Sequence, residues 1–185
     1  MAIRALNVAE KNSVARELAR ILGRGQQRNR RGPAQQHPIW DLPCTMNGQQ
    51  VDATFTSVRG HLMETEFAPP YGRKWNACQP IDLFHLPIEK YVREDMKQLE
   101  QQLKEEARKA QWLVLWLDCD REGENIAYEV INVCTQVFPS YNLNVIESSP
   151  ISSVSFYNKY LLQYHPSSHR ISQKEDVGPN IPLMF

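Results

Sequence analysis

At 185 residues, with 42% hydrophobic and 23% charged residues, the chain is long enough for one domain with a real core, and its composition excludes wholesale disorder. The 21 basic and 21 acidic residues cancel, but Arg24, Arg28, Arg30 and Arg31 crowd one stretch while Asp118, Asp120, Glu122 and Glu124 crowd another, so a neutral total does not exclude nucleic acid as a partner. No run approaches the roughly 18 apolar residues of a membrane span, Arg4, Glu10 and Lys11 interrupt any leader, and Cys44, Cys78, Cys119 and Cys134 form no C-x-x-C pair; a soluble intracellular protein with reduced thiols and no membrane partner is expected.

Ile3 to Val8 reads as a strand. After it Val14, Leu18, Ile21 and Leu22 recur at helical spacing, with Asn12 or Ser13 placed to cap and Gly23 to stop the helix. Residues 24 to 38, rich in Arg, Gln, Gly and Pro, suit an exposed loop. Residues 39 to 46 and 49 to 57 flank Asn47-Gly48 and predict an antiparallel hairpin, after which a loop carries Gly60-His61 and Pro69-Pro70. From Glu89 to Ala110 the positions Met96, Leu99, Leu103, Ala107 and Ala110 step by three or four, the pattern of an amphipathic helix.

Trp112 to Leu117 is apolar without alternation, as in a central parallel strand covered on both faces. Glu124 to Val137 reads as a helix and Leu143 to Ile146 as a further strand. The order predicts an α/β domain over residues 1–147, with a mainly parallel, Rossmann-like sheet flanked by helices and an inserted β-hairpin. Residues 148–185 open on Ser148, Ser149, Ser152, Ser153 and Ser155 and read as a divergent, poorly structured tail with a short helix near Phe156 to Tyr164.

Asp118-Cys119-Asp120-Arg121-Glu122-Gly123-Glu124 carries the strongest chemical signal, because it follows a buried strand and opens a helix, where open α/β sheets bind ligands. Acids at a helix start can simply complement its dipole. Asp118, Asp120 and Glu122 in alternation would repel one another at close range, which favours a shared cation, and an all-oxygen set suits Mg²⁺. The same residues with Glu129 also match an EF-hand calcium loop, but such a loop needs a helix before it, where this chain reads as a strand. Glu10 and Lys11, at the end of the first strand, would reach the same sheet edge, and a carboxylate, an ammonium and a metal together suit phosphoryl transfer.

With Val8-Ala9-Glu10-Lys11-Asn12, the chain also holds Thr56-Ser57-Val58-Arg59-Gly60-His61-Leu62, Arg73-Lys74-Trp75, and Leu115 to Ile126 across the acidic block. Together these resemble successive signatures of the type IA DNA topoisomerases, in their topoisomerase III group, and the Arg73 to Ile81 and Ile88 to Tyr91 segments favour its alpha form. The similarity runs over about residues 3 to 146 and implies a Toprim fold.

By position the resemblance implies catalytic parts for Glu10, Lys11 and Arg121, a Mg²⁺ site at Asp118, Asp120 and Glu122, and a site-edge place for His61, which reads equally well as a structural turn residue. It further implies ATP-independent cleavage, passage and religation of single DNA strands through a 5′-phosphotyrosyl link, a nuclear role in recombination and repair with a mitochondrial pool allowed, and a RecQ-type helicase and an OB-fold protein as partners. DNA contacts are expected from Arg28, Arg30 and Arg31 together with His61; a basic cluster from Arg24 to Arg31 can also serve as a nuclear address, but is more often just a solvated loop.

Two departures stand out. From Glu147 onward the sequence turns Ser-rich, where the family continues basic and aromatic, and none of the seven tyrosines sits in the Tyr-Pro-Arg-Thr-like setting of the family's nucleophile. These 185 residues alone are therefore expected neither to nick nor to relax DNA. A non-catalytic metal- and nucleic-acid-binding module is the alternative.

Overall fold

The structure, a computed structural model, describes residues 2–46, 48–69, 71, 78–137, 144–148, 158–164 and 171–173. Asn47 of the expected turn, Arg73-Lys74-Trp75 and most of the Ser-rich segment lie outside these.

The first strand β1 (Ile3–Ala9) leads into helix α1 (Asn12–Leu22). Gly23 ends that helix as expected, its N–H bonding Ala19 O at 2.9 Å, and a Cβ there would lie 2.7 Å from the same oxygen. Asn12 does not cap. Its side chain donates to Gln36 O and accepts from the Ser57 hydroxyl, so the expected cap residue ties two loops together instead. A short strand β2 (Arg28–Arg30) then pairs with β3 (Ile39–Met46), which returns as β4 (Gln49–Ser57). Both hairpin strands match the expected ranges, and Gly48, at φ +72°, takes the left-handed conformation that the turn requires.

Residues expected as one loop and one long helix divide differently. Strand β5 (Met63–Phe67) pairs antiparallel with β6 (Ile88–Val92) as a separate two-stranded sheet, and helix α2 (Lys97–Ala107) starts only after a 3-10 turn at Glu94–Met96. Strand β7 (Trp112–Trp116), helix α3 (Arg121–Thr135) and strand β8 (Asn144–Ser148) follow in the expected order. Beyond them β9 (Asn158–Tyr164) and β10 (Ile171–Gln173) extend the sheet, with a strand where a short helix was expected.

The main sheet runs β10-β9-β8-β7-β1-β4-β3-β2, with β8, β7, β1 and β4 parallel at its centre. Alternation along β1 and β7 builds a core on each face. Ala5, Ala9, Val114 and Trp116 pack toward α1, with Leu18 and Phe55, whereas Leu6, Val8, Leu113 and Leu115 pack toward α2 and α3, with Leu99, Leu103, Ile126 and Val130. Asn7 is fully buried mid-strand; its Oδ1 accepts from Trp116 Nε1 at 3.0 Å, which offsets the cost of a polar group there. Because β1 and β7 are neighbours running the same way, the chain leaves both at one edge of the sheet.

Candidate active site

Register places Ala9 beside Trp116, so residues 10–11 and 117–118 emerge together. Glu10 N bonds Trp116 O at 3.1 Å, and Asp118 N approaches Glu10 Oε2 at 3.4 Å. Lys11 Nζ stands between the two acids, 3.2 Å from Glu10 Oε1 and 3.4 Å from Asp118 Oδ2. Its pKa is raised above the ordinary lysine value, chiefly by the hydrogen bond to Glu10 and then by the charges of Glu10 and Asp118, so the ammonium stays protonated. With Lys11 60% and Asp118 49% exposed, solvent screens these contacts and they hold little of the fold.

The rest of the acidic block turns into α3. Asp120 caps the helix, Oδ1 accepting from Gly123 N at 2.7 Å. Gly123 seats this first turn against the end of β7, since a Cβ there would fall 2.0 Å from Asp118 O. Arg121 and Glu122 are exposed in the same turn, and Glu122 Oε1 lies 3.8 Å from His61 Nε2.

Asp118, Asp120 and Glu122 thus share one edge without forming a closed shell, and among the described residues no three His, Cys, Asp or Glu side chains are gathered as metal ligands. Capping takes one oxygen of Asp120 and leaves the other, while Asp118 and Glu122 face solvent. Exposed oxygen donors at a strand end fit a hard divalent cation that keeps part of its water shell. The EF-hand alternative fails on topology, because β7 stands where a helix is required and the Glu129 carboxylate is already taken up by the backbone N–H groups of Leu62 and Met63 and by His61 and Lys90.

The arginines expected to contact DNA separate. Arg30 is held by the fold: it pairs with Asp41 across β2 and β3 at 2.5 Å and with Glu106 of α2 at 2.7 Å, and these acids raise its pKa, Glu106 first. Both edges of its guanidinium fork thus meet carboxylates, which gives Arg30 a structural role beside the DNA contact expected of it. Arg28 and Arg31 are exposed on either side of it. Strand β2 is three places from β1 in the sheet, roughly 14 Å away, so the basic cluster and the acidic edge do not converge.

Two buried polar groups near the site take places that the sequence reading did not give them: Glu129, read there only as the last position of a calcium loop, and Gln102, which had no role. Glu129, two turns after Glu122 on α3, is 1% exposed and receives Leu62 N at 2.8 Å, Met63 N at 3.2 Å, His61 Nδ1 at 3.3 Å and Lys90 Nζ at 3.1 Å. An acid flanked by Ile126 and Val130 on the buried face of a helix is the signal that could have found it, since a buried carboxylate needs partners. Gln102, also fully buried, donates to His37 O and Thr56 Oγ1 and accepts from Ala34 N, fixing the 34–37 loop beside Asn12. Burial there lowers the His37 pKa.

Comparison with known families and proteins agrees with this geometry. A family profile described as Toprim domain matches residues 5–148. DNA topoisomerase 3-alpha of Arabidopsis thaliana is 55% identical over 132 residues, 71% of this chain and 14% of the relative. The human protein of that name is 43% identical over 143 residues, 77% of this chain and 14% of its own. That of Drosophila melanogaster is 35% identical over 182 residues, 98% of this chain and 14% of its own, so that alignment continues past residue 148 into the Ser-rich segment. The chain spans 14% of the length of each of these relatives.

Proposed function

Because the chain belongs to the Toprim-domain family, we propose that its carboxyl sheet edge supplies the acid, lysine and cation-binding half of a type IA DNA topoisomerase active site. The observation that carries this reading is the meeting of Glu10 and Lys11 from the end of β1 with Asp118 from the end of β7, within 3.4 Å. Divalent-cation binding is general to Toprim domains; Mg²⁺ is our proposal for the ion, held by Asp118, Glu122 and the free oxygen of Asp120. Bound there, the ion would neutralise charge on a scissile phosphodiester.

Lys11 would stabilise the same phosphate as a point charge, and Glu10, hydrogen-bonded beside it, would hold or move a proton at the reacting oxygen. Arg121, exposed one residue past the cap, would add a second cation at the phosphate. DNA as substrate is supported by the relatives being DNA topoisomerases and by the phosphate-suited donor set; cleavage, passage and religation of a single strand through a tyrosine complete the proposal. His61 and the exposed Arg28 and Arg31 would contact the strand outside the reacting centre. A nuclear location and partnership with a RecQ-type helicase and an OB-fold protein belong to the same reading, and co-precipitation from nuclear extract tests them.

Isothermal titration with Mg²⁺ tests the site. Asp120→Asn preserves the helix cap, because Asn caps as well as Asp, and removes only charge. The reading expects weak binding by the parent chain and at least about tenfold weaker binding by the variant. Equal binding by both, or a tight preference for Ca²⁺, would overturn it. With labelled single-stranded DNA and Mg²⁺ these 185 residues should form no tyrosine-linked adduct. An adduct abolished by Glu10→Gln would show that a tyrosine present here is the nucleophile.

A further inference from the structure

We infer that Glu129 is a positioning residue for His61, fixing the imidazole so that its Nε2 presents a hydrogen-bond acceptor at the edge of the acidic cluster. The inference rests on the reading of that cluster as a cation and phosphate site, and goes beyond it by naming the buried group that builds its wall. A carboxylate offers about four acceptor positions, and Glu129 has four donors: the backbone N–H groups of Leu62 and Met63 on Oε2, and His61 Nδ1 and Lys90 Nζ on Oε1. At 1% exposure such a group is stable only when paired, and Lys90 supplies the opposite charge, steadied by Asn125 Oδ1 at 3.2 Å.

Three elements therefore converge on one side chain: α3, the β4–β5 loop and strand β6. Glu122 and Glu129 lie seven residues apart, two helical turns, on one face of α3, with the imidazole spanning them. Nδ1 faces Glu129 at 3.3 Å and Nε2 faces Glu122 at 3.8 Å. Both carboxylates can only accept, and the one proton of a neutral ring goes to the nitrogen within hydrogen-bond reach, Nδ1 at 3.3 Å from Glu129, so Nε2, at 3.8 Å from Glu122, keeps its lone pair. A water held by a cation at Glu122 would find that lone pair as an acceptor beside it. Histidines beside metal centres are oriented by carboxylates in this way, and loss of the orienting group typically costs about 10–100-fold in metal affinity.

Imidazole ¹⁵N NMR on the whole chain, without metal and about two pH units above the ordinary histidine pKa, tests the orientation directly. The parent chain should show His61 with Nδ1 protonated, and Glu129→Gln should shift it toward the Nε2-protonated form and speed amide exchange at Leu62 and Met63 by about tenfold or more. His61→Ala should leave those two amides protected, since they bond the other oxygen. An Nε2-protonated ring in the parent chain overturns the inference whether or not the Gln variant folds, as does an unchanged His61 spectrum in a folded variant.

In Mg²⁺ titration, His61→Ala and Glu129→Gln should each weaken binding by about tenfold and the double variant no further, because one acts through the other. Additive losses would overturn the inference. A parent chain that binds no Mg²⁺ would sink the proposed function, and the tautomer would still decide the placement of His61.

Discussion

Two charged clusters on this sheet are built from the same residue types and act differently. At the carboxyl edge the exposed Lys11 and Asp118 meet the half-buried Glu10 at 3.2–3.4 Å, whereas across β2, β3 and α2 Arg30 is clasped by Asp41 at 2.5 Å and Glu106 at 2.7 Å. Glu106 is 5% exposed and takes a further cation, Lys109, while Asp41 also accepts from Thr54 at 2.8 Å. Burial pushes the Glu106 carboxyl up, but Arg30 and Lys109 outweigh it and leave its pKa below the usual value. Charges anchored on a buried partner, as Arg30 is on Glu106, hold the fold; charges as exposed and loosely paired as Lys11 and Asp118 stay available to a cation or phosphate.

The sharpest way to break this contrast is at Gly123, where the exposed cluster depends on backbone contact. Gly123→Ala forces a Cβ to 2.0 Å from Asp118 O, and the chain should lose about 3 kcal/mol or more in urea unfolding, or shift the acidic loop off β7. Next comes Arg30→Ala, which strands the Glu106 carboxylate with Lys109 alone. Allowing for solvent at a guanidinium 34% exposed, a loss of about 2 kcal/mol is expected by the same measurement, with Mg²⁺ affinity unchanged. An Arg30→Ala variant as stable as the parent would remove the distinction between the clusters.

The two ends of α3 extend the comparison through pH. Cys134 is fully buried near its end, and desolvation pushes the thiol up to about 12 from its ordinary 9.0, whereas Cys119 is exposed just before its start. A folded pKa above the unfolded one means that the share of stability from Cys134 is whole below pH 9.0 and is lost as pH rises toward 12. Cys134→Ala should flatten this alkaline slope, and a thiol reagent should modify Cys119 at once but Cys134 only on unfolding. Smallest of all in stability is Lys11→Ala, which should leave the urea midpoint unmoved while weakening single-stranded DNA binding and lowering its salt slope by about one. A clear fall in the midpoint would place Lys11 with Arg30 as a structural cation.

Much of the exposed site is legible because its residues are contiguous with strand ends: apolar Ile3 to Val8 and Trp112 to Leu117 place Glu10, Lys11 and Asp118 at one edge from the sequence alone. The enclosed cluster is not. Partners of Arg30 lie 11 and 76 residues away, and nothing local distinguishes it from Arg28 or Arg31. Strand β6 was missed because Ile88 to Tyr91 are exposed and only Val92 is buried, so no alternation marks it, and its Glu and Lys merge with the helical pattern that follows. Asn12 read as a cap because its side chain is short and polar, but the Ser57 hydroxyl and Gln36 carbonyl, reached only through the sheet, take its bonds.

The central claim, that the exposed cluster and not the enclosed one receives the cation, is tested most directly by paramagnetic broadening of amide NMR signals on titration with Mn²⁺. The account predicts loss of signal first at residues 10–11 and 118–123, with Asp41 and Glu106 unaffected at the same metal concentration. Broadening centred on Asp41 and Glu106, or spread evenly over the acidic surface, would contradict it.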